Sequence, residues 1–172
     1  MITRCVPGEA IQTHCDDADA MLALFREALR QLQAVPIINC PFDSSVSVRL
    51  DELEYLIERD LCAGDVDLEQ WPTLCAPRKF LTHLYATRPV EDRAFSHGDL
   101  CDTNVFLDAS DQLYFIDLGR GGIADRYLDI AFAHRNLRED VSDSAARNFL
   151  CRLGEPDQPE KRLFYEQLDE LF

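Results

Sequence analysis

The chain has 172 residues and is 47% hydrophobic, which is enough for one domain of ordinary size with a buried core. Its formal net charge of −15, from 17 basic and 32 acidic residues, repels nucleic acids and anionic lipids and attracts polycations. No apolar run approaches membrane-spanning length, and the N-terminus lacks the apolar stretch of a signal peptide. Together with the negative charge, these features lead us to expect neither a nucleic-acid nor a membrane partner.

Seven cysteines are scattered along the chain, at positions 5, 15, 40, 62, 75, 101 and 151. Their number is odd and no C-x-x-C pair occurs, so the sequence predicts neither a disulfide framework nor a zinc site. Reduced thiols are typical of the cytosol, and we therefore expect a cytoplasmic location.

Apolar residues at helical spacing predict two helices in the first part of the chain. The first follows Asp16 and Asp17, ends before Pro36 and carries Met21, Leu22, Phe25, Leu29 and Leu32. The second carries Val48, Leu50, Leu53, Leu56, Ile57 and Leu61. Residues 62–78 lose this period and are acidic, which indicates a loop or a broken helix.

The remaining chain predicts further helices around one short β element. Phe80, Leu81, Leu84 and Tyr85 indicate a short helix, and a strand leads into His97. Three later helical stripes comprise Ile123, Tyr127, Ile130, Ala131, His134 and Leu137, then Ala145, Phe149, Leu150 and Leu153, then Leu163, Phe164, Leu168 and Leu171. Gly154 and Pro156 separate the last two stripes.

Two short apolar runs flank residues 109–112 and predict a β-hairpin. Asp99 and Asn104 stand before and at the start of the first run, and Asp117 closes the second. Folding the hairpin therefore brings these three side chains together. Oxygen ligands of this kind suit Mg²⁺, which prefers one or two carboxylates together with substrate phosphates. An acidic hairpin with ordinary turn residues is the alternative interpretation.

The spacing of these residues matches that used by protein kinases. Protein kinases have the motif H-R-D-x-x-x-x-N, followed later in the chain by D-F-G. This chain has H-G-D-x-x-x-x-N from His97 to Asn104, followed by I-D-L-G from Ile116 to Gly119. These motifs, I-D-x-G-R, and residues 124–131, 40–43 and 168–172 resemble the aminoglycoside phosphotransferases, most closely the 3′-phosphotransferases or kanamycin kinases. The resemblance extends from about Val6 to the last residue.

The resemblance implies an α+β fold, the C-terminal lobe of a protein-kinase-like protein, mostly helical with a small central β-hairpin. Residues 1–8 would be a hinge remnant, and residues 9–172 would carry the catalytic loop and the drug pocket. We expect the N-terminal β lobe to be absent, since the only lysines are Lys79 and Lys161 and no Gly-rich loop precedes them.

The implied activity is transfer of the γ-phosphate of ATP to the 3′-hydroxyl of an aminoglycoside antibiotic, which confers resistance, with ATP and Mg²⁺ as cofactors. Asp99 would be the catalytic base or would orient the hydroxyl, because phosphoryl transfer depends mainly on positioning and charge neutralisation. Asn104 and Asp117 would bind Mg²⁺. The nucleotide would meet the hinge, with Arg4 and Val6, and Ile116.

Several acidic residues are candidates for binding the amines of the drug. Glu139 and Asp140 end a predicted helix, where carboxylates oppose the helix dipole and need another explanation. The resemblance assigns drug contacts to this pair, to Asp169, Glu170 and the terminal carboxylate of Phe172, and adds Asp102, Arg120, Asp67 and Glu69 as further candidates. A solvated acidic tail is the alternative.

Other residues near the motifs favour structural roles. His97 is expected to brace the loop, Arg120 either pairs with Asp99 or lies beside the drug, and Asp125, Arg126 and Asp129 are expected to form a buried network. Two other functions stay open: a non-catalytic or truncated lobe that binds polyamine drugs, and a kinase of another small hydroxyl compound such as choline or a sugar.

Overall fold

The computed structural model describes residues 5–62, 70–74, 76–154, 156–170 and 172. Within these residues there are six α-helices: α1 Ala18–Gln33, α2 Val46–Glu58, α3 Pro77–Thr87, α4 Tyr127–Asp140, α5 Asp143–Leu153 and α6 Pro159–Asp169. The strands are short: β1 Glu9–Ala10, β2 Arg93–Ser96, β3 Val105–Leu107, β4 Leu113–Phe115 and β5 Gly122–Asp125. The predicted α+β class with mainly helical content is confirmed.

The helices begin and end where local sequence signals place them. The Asp17 side chain caps α1 by accepting a hydrogen bond from the Ala20 amide at 3.0 Å. Ser142 caps α5 in the same way through the Ala145 amide at 3.1 Å, and Gly154, at φ +75°, ends α5 in the left-handed region. The predicted stripe of α1 is fully buried. None of the helices in the described ranges is long and apolar enough to cross a bilayer.

Helix α2 differs from the prediction in which residues it buries. Val48 is 40% exposed, and Leu61 lies beyond the helix and is 57% exposed. Arg49, a charged residue, takes a place on the buried face at 3% exposure. The predicted helical spacing was right, but the buried face of the helix includes Arg49 in place of Val48, because an arginine occupies one of the core-facing positions.

The β structure is larger than the single predicted hairpin. Strands β3 and β4 form that hairpin and β1 adds to β3, which gives an antiparallel sheet in the order β1-β3-β4. A second antiparallel pair joins β2 to β5, with Phe95 opposite Ile123 and Ser96 opposite Gly122. The prediction that Ile123 belongs to the following helix was therefore wrong, since this residue pairs in a strand before α4 begins.

Helix α4 lies at the centre of the helical layer and contacts α1, α5 and α6. Every residue from Tyr127 to His134 is buried, so α4 is enclosed on all sides over its first two turns. The last helix is less fully covered than predicted, because Phe164 and Leu168 are buried whereas Leu163 is 47% exposed. The loops that follow β2 and precede β5 come together beside this helical layer.

Candidate active site

The β2–β5 pair explains why two distant motifs meet. Ser96, the last residue of β2, lies opposite Gly122, the first residue of β5. The antiparallel register therefore places the loop that begins at His97 beside the turn that ends at Gly121. The backbones approach so closely that a Cβ atom built on Gly98 would lie 2.2 Å from the Arg120 carbonyl oxygen. Gly98 also has φ +86°, so both space and conformation require glycine there.

Asp129 of α4 fixes the loop that carries Asp99. Its two carboxylate oxygens accept hydrogen bonds from the backbone amides of His97, at 2.7 Å, and Gly98, at 3.0 Å. Asp129 is only 2% exposed, and burial raises the pKa of its carboxyl group against the opposing effect of these amides. The predicted Asp-Arg network is thus a carboxylate-to-backbone clamp, and Arg126 instead contacts Gln33 and Asp92.

His97 connects the same loop to the hairpin. Its fully buried ring places Nε2 at 2.8 Å from the Ile116 carbonyl oxygen, and its Nδ1 atom lies 3.3 Å from the Asp99 amide nitrogen. These partners suit a neutral imidazole whose Nε2 donates and whose Nδ1 accepts. His97 therefore has the bracing contacts expected of it.

Asn104 holds Asp99 directly. Its amide nitrogen donates to the Asp99 carboxylate at 3.1 Å and to the Asp99 carbonyl at 3.0 Å. Because the nitrogen faces Asp99, the amide oxygen remains available as a ligand for a cation. Asp117 follows β4 in the left-handed conformation, at φ +56° and ψ +49°, and is exposed. A non-glycine residue in this region is uncommon and is often found at functional sites.

Asp99 and Asp117 share one cavity of about 600 Å³. The cavity is lined by Glu52, Asp99, Asp117, Gly119, Arg120, Asp169 and Phe172. Four of these side chains are carboxylic acids and one is a guanidinium, so the cavity favours a ligand with positive charge. The structure thus brings together five of the predicted site residues, which lie up to 73 positions apart in the chain.

Arg120, Asp169 and Phe172 line the same cavity as Asp99 and contact one another. Arg120 lies 3.7 Å from the Asp169 carboxylate, and its guanidinium stacks on the Phe172 ring at 4.2 Å. Asp169 also pairs with Arg135 at 2.8 Å. Arg120 was expected either to pair with Asp99 or to lie beside the drug. Its side-chain contacts in the described part of the chain are with Asp169 and Phe172, two of the candidate drug-binding residues. Glu170 follows Asp169 and is half-buried.

The acids at the end of α4 lie outside the lining of this cavity. Glu139 pairs with Arg138 at 3.1 Å, and Asp140 accepts a hydrogen bond from the Asn136 side chain. Asn136 in turn accepts from the Asp102 amide at 3.0 Å, which links this helix end to the loop after Asp99. Both acids are exposed.

Asp102 itself is placed differently from what a substrate-binding carboxylate requires. It is 2% exposed, and its Oδ2 atom is buried without a hydrogen-bond partner among the described residues. Burial, and next the nearby charge of Asp140, raise the pKa of the Asp102 carboxyl. Its side chain contributes to the interior of the loop rather than to the cavity wall.

The predicted nucleotide contacts lie at the hairpin. Val6 lines a small cavity of about 230 Å³ with Cys5, Pro7 and Tyr114. Ile116 follows Tyr114 by two positions, and its amide donates to the Asn104 carbonyl at 3.0 Å. Arg4, Asp67 and Glu69, which the sequence also suggested, lie outside the described residues.

Two site residues on α2 were missed by the sequence analysis. Glu52 lines the cavity, and Arg49, one turn earlier, donates to the carbonyl oxygen of Gly98 at 2.9 Å. Residues three positions apart share a helix face, so α2 presents both toward the site. The available signal was that Arg49 stands within an apolar stripe, between Val46 and Leu50.

A helical layer with a short hairpin, whose loops bring the H-G-D-x-x-x-x-N and I-D-L-G motifs together, is the C-terminal lobe of the protein-kinase-like fold. The chain belongs to the phosphotransferase enzyme family, whose model matches residues 1–164. The predicted resemblance to aminoglycoside phosphotransferases is thereby confirmed.

Individual relatives agree with this assignment. An aminoglycoside 3′-phosphotransferase of Acinetobacter baumannii is 39% identical in an alignment of 175 positions that covers 99% of this chain and 67% of the relative. The crystal structure of an aminoglycoside 3′-phosphotransferase of type VIII superposes with a TM-score of 0.83 at 33% identity, covering 99% of this chain and 67% of that one.

A further structure, of an aminoglycoside phosphotransferase from Streptomyces rimosus in complex with ADP and streptomycin, has a TM-score of 0.79 at 28% identity over 97% of this chain and 68% of that one. Across eight relatives, seven of them named as aminoglycoside 3′-phosphotransferases, the chain spans between 57% and 68% of the relative's length.

Proposed function

We propose that the chain transfers the γ-phosphate of ATP to the 3′-hydroxyl of an aminoglycoside such as kanamycin. The observation that carries this proposal is the acidic cavity of about 600 Å³ in which Asp99 and Asp117 face Asp169 and Phe172. Among the lining residues, Asp117 would provide an oxygen ligand for a metal–nucleotide, and Asp169 and the Phe172 carboxylate would suit a polyamine. Membership of the family supports the same reaction.

Asp99 would accept a hydrogen bond from the attacking hydroxyl and hold it in line with the γ-phosphorus. Phosphoryl transfer proceeds through a loose transition state, so this orientation contributes more than complete removal of the proton. The contacts around Asp99 suit the role, because Asn104 holds its carboxylate and Asp129 holds the backbone just before it.

Asn104 and Asp117 are the residues that would hold Mg²⁺. Among the described residues there is no cluster of three or more His, Cys, Asp or Glu arranged to bind a metal. An amide oxygen and one carboxylate instead suit a cation that takes its other ligands from phosphates and water. When bound, Mg²⁺ would neutralise the phosphate charge at the transition state.

The nucleotide base would lie against the hinge, where Val6 is close to the hairpin residue Tyr114, with Arg4 and Ile116 as further predicted contacts. Val6 and Tyr114 already share a small cavity there, which supports this placement. The drug would contact Arg120, Asp169, Glu170 and the Phe172 carboxylate, with Glu139 and Asp140 at the end of α4 and Asp67 and Glu69 as further candidates. Asp102, whose side chain is buried inside the loop, is not included.

The test is to incubate the 172-residue chain with kanamycin, ATP and Mg²⁺ and to detect phosphorylated kanamycin by mass spectrometry. We expect product from the parent, and a rate about 10²–10⁴-fold lower for Asp99→Asn, which keeps the size of the side chain but loses the carboxylate. Asp16→Asn, at an exposed position outside the site, is the matched control and should retain the parental rate.

Two results would count against the proposal. Equal rates for Asp99→Asn and Asp16→Asn would remove Asp99 from the reaction. A folded parent without product would exclude catalysis by this chain, and calorimetric titration with kanamycin would then show whether the cavity binds the polyamine without reacting. Product formed with choline but not with kanamycin would assign another substrate class.

A further inference from the structure

Arg49 of α2 is a buried cation directly behind the site. It is 3% exposed, and it does not line the cavity, although Glu52 one turn later does. Arginine is among the residues that are almost never fully buried unless their charge is compensated. The position therefore requires an explanation that core packing alone does not give.

One nitrogen of Arg49 serves both halves of the site. Its Nη2 atom donates to the carbonyl oxygen of Gly98 at 2.9 Å and lies 3.4 Å from that of Arg120. Gly98 immediately precedes Asp99, and Arg120 ends the short turn that follows Asp117. The guanidinium thus joins the loop of the candidate base to the turn of the candidate metal ligand.

Both backbone polar groups of Gly98 are held by buried side chains. Its N–H donates to Asp129 at 3.0 Å, and its C=O accepts from Arg49 at 2.9 Å. The groups are so closely packed that a Cβ atom on Gly98 would lie 2.7 Å from the Arg49 Nη2 atom. The Arg120 carbonyl has a second donor as well, the Ser44 hydroxyl at 2.7 Å.

The arrangement is unfavourable for Arg49 itself. Its Nε atom is buried and has no hydrogen-bond partner among the described residues. Burial, and next the charge of Arg120, lower the pKa of the guanidinium, which stays protonated nonetheless. Burying a charge costs free energy unless hydrogen bonds compensate it, and the bonds to the carbonyl groups of Gly98 and Arg120 are the compensation at this position.

We propose that Arg49 is a positioning residue, which sets the separation of Asp99 and Asp117 by holding the carbonyl groups of Gly98 and Arg120. The expected effect on catalysis rests on the proposed function, but the effect of Arg49 on the loop can be measured without catalysis. It assigns to α2, which lies between the two halves of the site, the task of keeping base and metal ligand in register.

The test compares Arg49→Met, which keeps a long side chain without charge or donors, with Arg152→Met. Arg152 is a suitable control because it loses the same charge from an exposed pair with Asp19, far from the site. We expect Arg49→Met to lower kcat about 10²-fold, as misplaced reacting groups do, while KM for kanamycin changes by less than about threefold. Arg49→Lys, which keeps the charge but not the forked geometry, should recover about tenfold in kcat.

The second readout needs no catalysis. Hydrogen exchange followed by mass spectrometry should be about tenfold faster in Arg49→Met for peptides covering residues 96–104 and 116–123, and unchanged for α4 and α5, because only the local opening equilibrium changes. If Arg49→Met does not fold, the kcat and the hydrogen exchange of Arg49→Lys test the proposal instead.

If Arg49→Met has the parental rate of hydrogen exchange at residues 96–104 and the parental kcat, the proposal is overturned. Faster exchange throughout the chain with a matching loss of thermal stability would also overturn it, since this would assign Arg49 to general stability. A parent that forms no product would reject the proposed function alone, and the exchange of residues 96–104 would still decide whether Arg49 holds the loop.

Discussion

The loop around Asp99 and the interface between α4 and α6 both contain buried charged groups, but these groups bind different kinds of partner. Around Asp99, the side chains of Asp129, Arg49 and His97 all bind backbone amides or carbonyls. Each of these bonds acts on the main chain of a segment that carries a candidate site residue.

Between α4 and α6, charged side chains bind one another. Arg138 of α4 donates to Glu166 of α6 at 3.1 Å, and Lys161 of α6 reaches Asp125, at the end of β5, at 2.7 Å. These pairs join elements that are already regular, so they affect how the helices pack rather than the path of the backbone.

The difference indicates two separable uses of buried charge. A carboxylate bound to two amides determines where a loop runs, and its loss displaces the groups that the loop carries. A side-chain pair between helices contributes to stability, and its loss leaves the loop in place. Substitutions in the two regions should therefore separate activity from stability.

Among variants outside the cavity wall, the largest combined effect on stability and activity is expected for Asp129→Asn. The new amide group would point a donor at one of the two backbone donors of His97 and Gly98, and one buried N–H would lose its acceptor. We expect a loss of about 2–3 kcal/mol in the free energy of unfolding, measured in urea. We also expect kcat for kanamycin phosphorylation to fall about 10²-fold because Asp99 is displaced.

Asp125→Asn is the matched control for this comparison. Asp125 is equally buried and accepts from the Tyr127 amide, Lys161 and Tyr165, but it lies at the end of β5 that is remote from the Ser96–Gly122 pair. It should lose a similar free energy of unfolding and retain kcat within about threefold. Equal losses of kcat in both variants would show that the two regions are not separable.

The sequence motifs predicted the centre of this site because its spacing is local. Asp99 and Asn104 lie five positions apart, and Asp117 follows one hairpin later, so a correct hairpin was sufficient to bring them together. The pairing of β2 with β5 was not predictable in the same way. Ile123 continued the apolar period of α4, and its strand partner Phe95 lies 28 positions earlier.

Arg49 was missed for a related reason. An arginine in a helix ordinarily belongs to the exposed face, and the groups that compensate its burial are carbonyls 49 and 71 positions away. The acids at the helix ends were identified from the helix dipole, but that argument does not reveal partners. Asp169 proved to be paired with Arg120 and Arg135, whereas Glu139 is paired only with its neighbour Arg138 among the described residues.

The helix interface can be tested through the pH dependence of stability. Burial, followed by the charges of Arg162 and Arg138, lowers the pKa of His134 from 6.5 to about 4. The unfolded chain therefore binds more protons between pH 6.5 and pH 4, so this stabilisation is complete above pH 6.5 and is lost as the pH falls toward 4. We expect His134 to account for about 3 kcal/mol of the loss over this range.

His134→Gln removes the titration and keeps a polar side chain near Arg162. The difference between the parental and variant unfolding free energies, measured from pH 7 to pH 4, isolates the contribution of His134 from that of other groups such as Asp157. A variant with the same pH slope as the parent would contradict the assignment. At pH 7, kcat for the variant should stay close to the parental value, since His134 is part of the helix interface.

The smallest effect is expected for Asp102→Asn, and its sign is opposite to that of the other variants. The buried Oδ2 atom of Asp102 has no partner among the described residues, and burial and Asp140 raise the pKa of its carboxyl. A raised pKa means that the folded state opposes the charge, so the asparagine variant should gain about 1 kcal/mol at pH 7. This gain should diminish as the pH falls through the folded-state pKa of Asp102, because the parent then becomes neutral as well. Urea unfolding at pH 7 and pH 4 measures both values, and a loss of stability at pH 7 would mean that the carboxylate, although it lacks a partner, stabilises the loop.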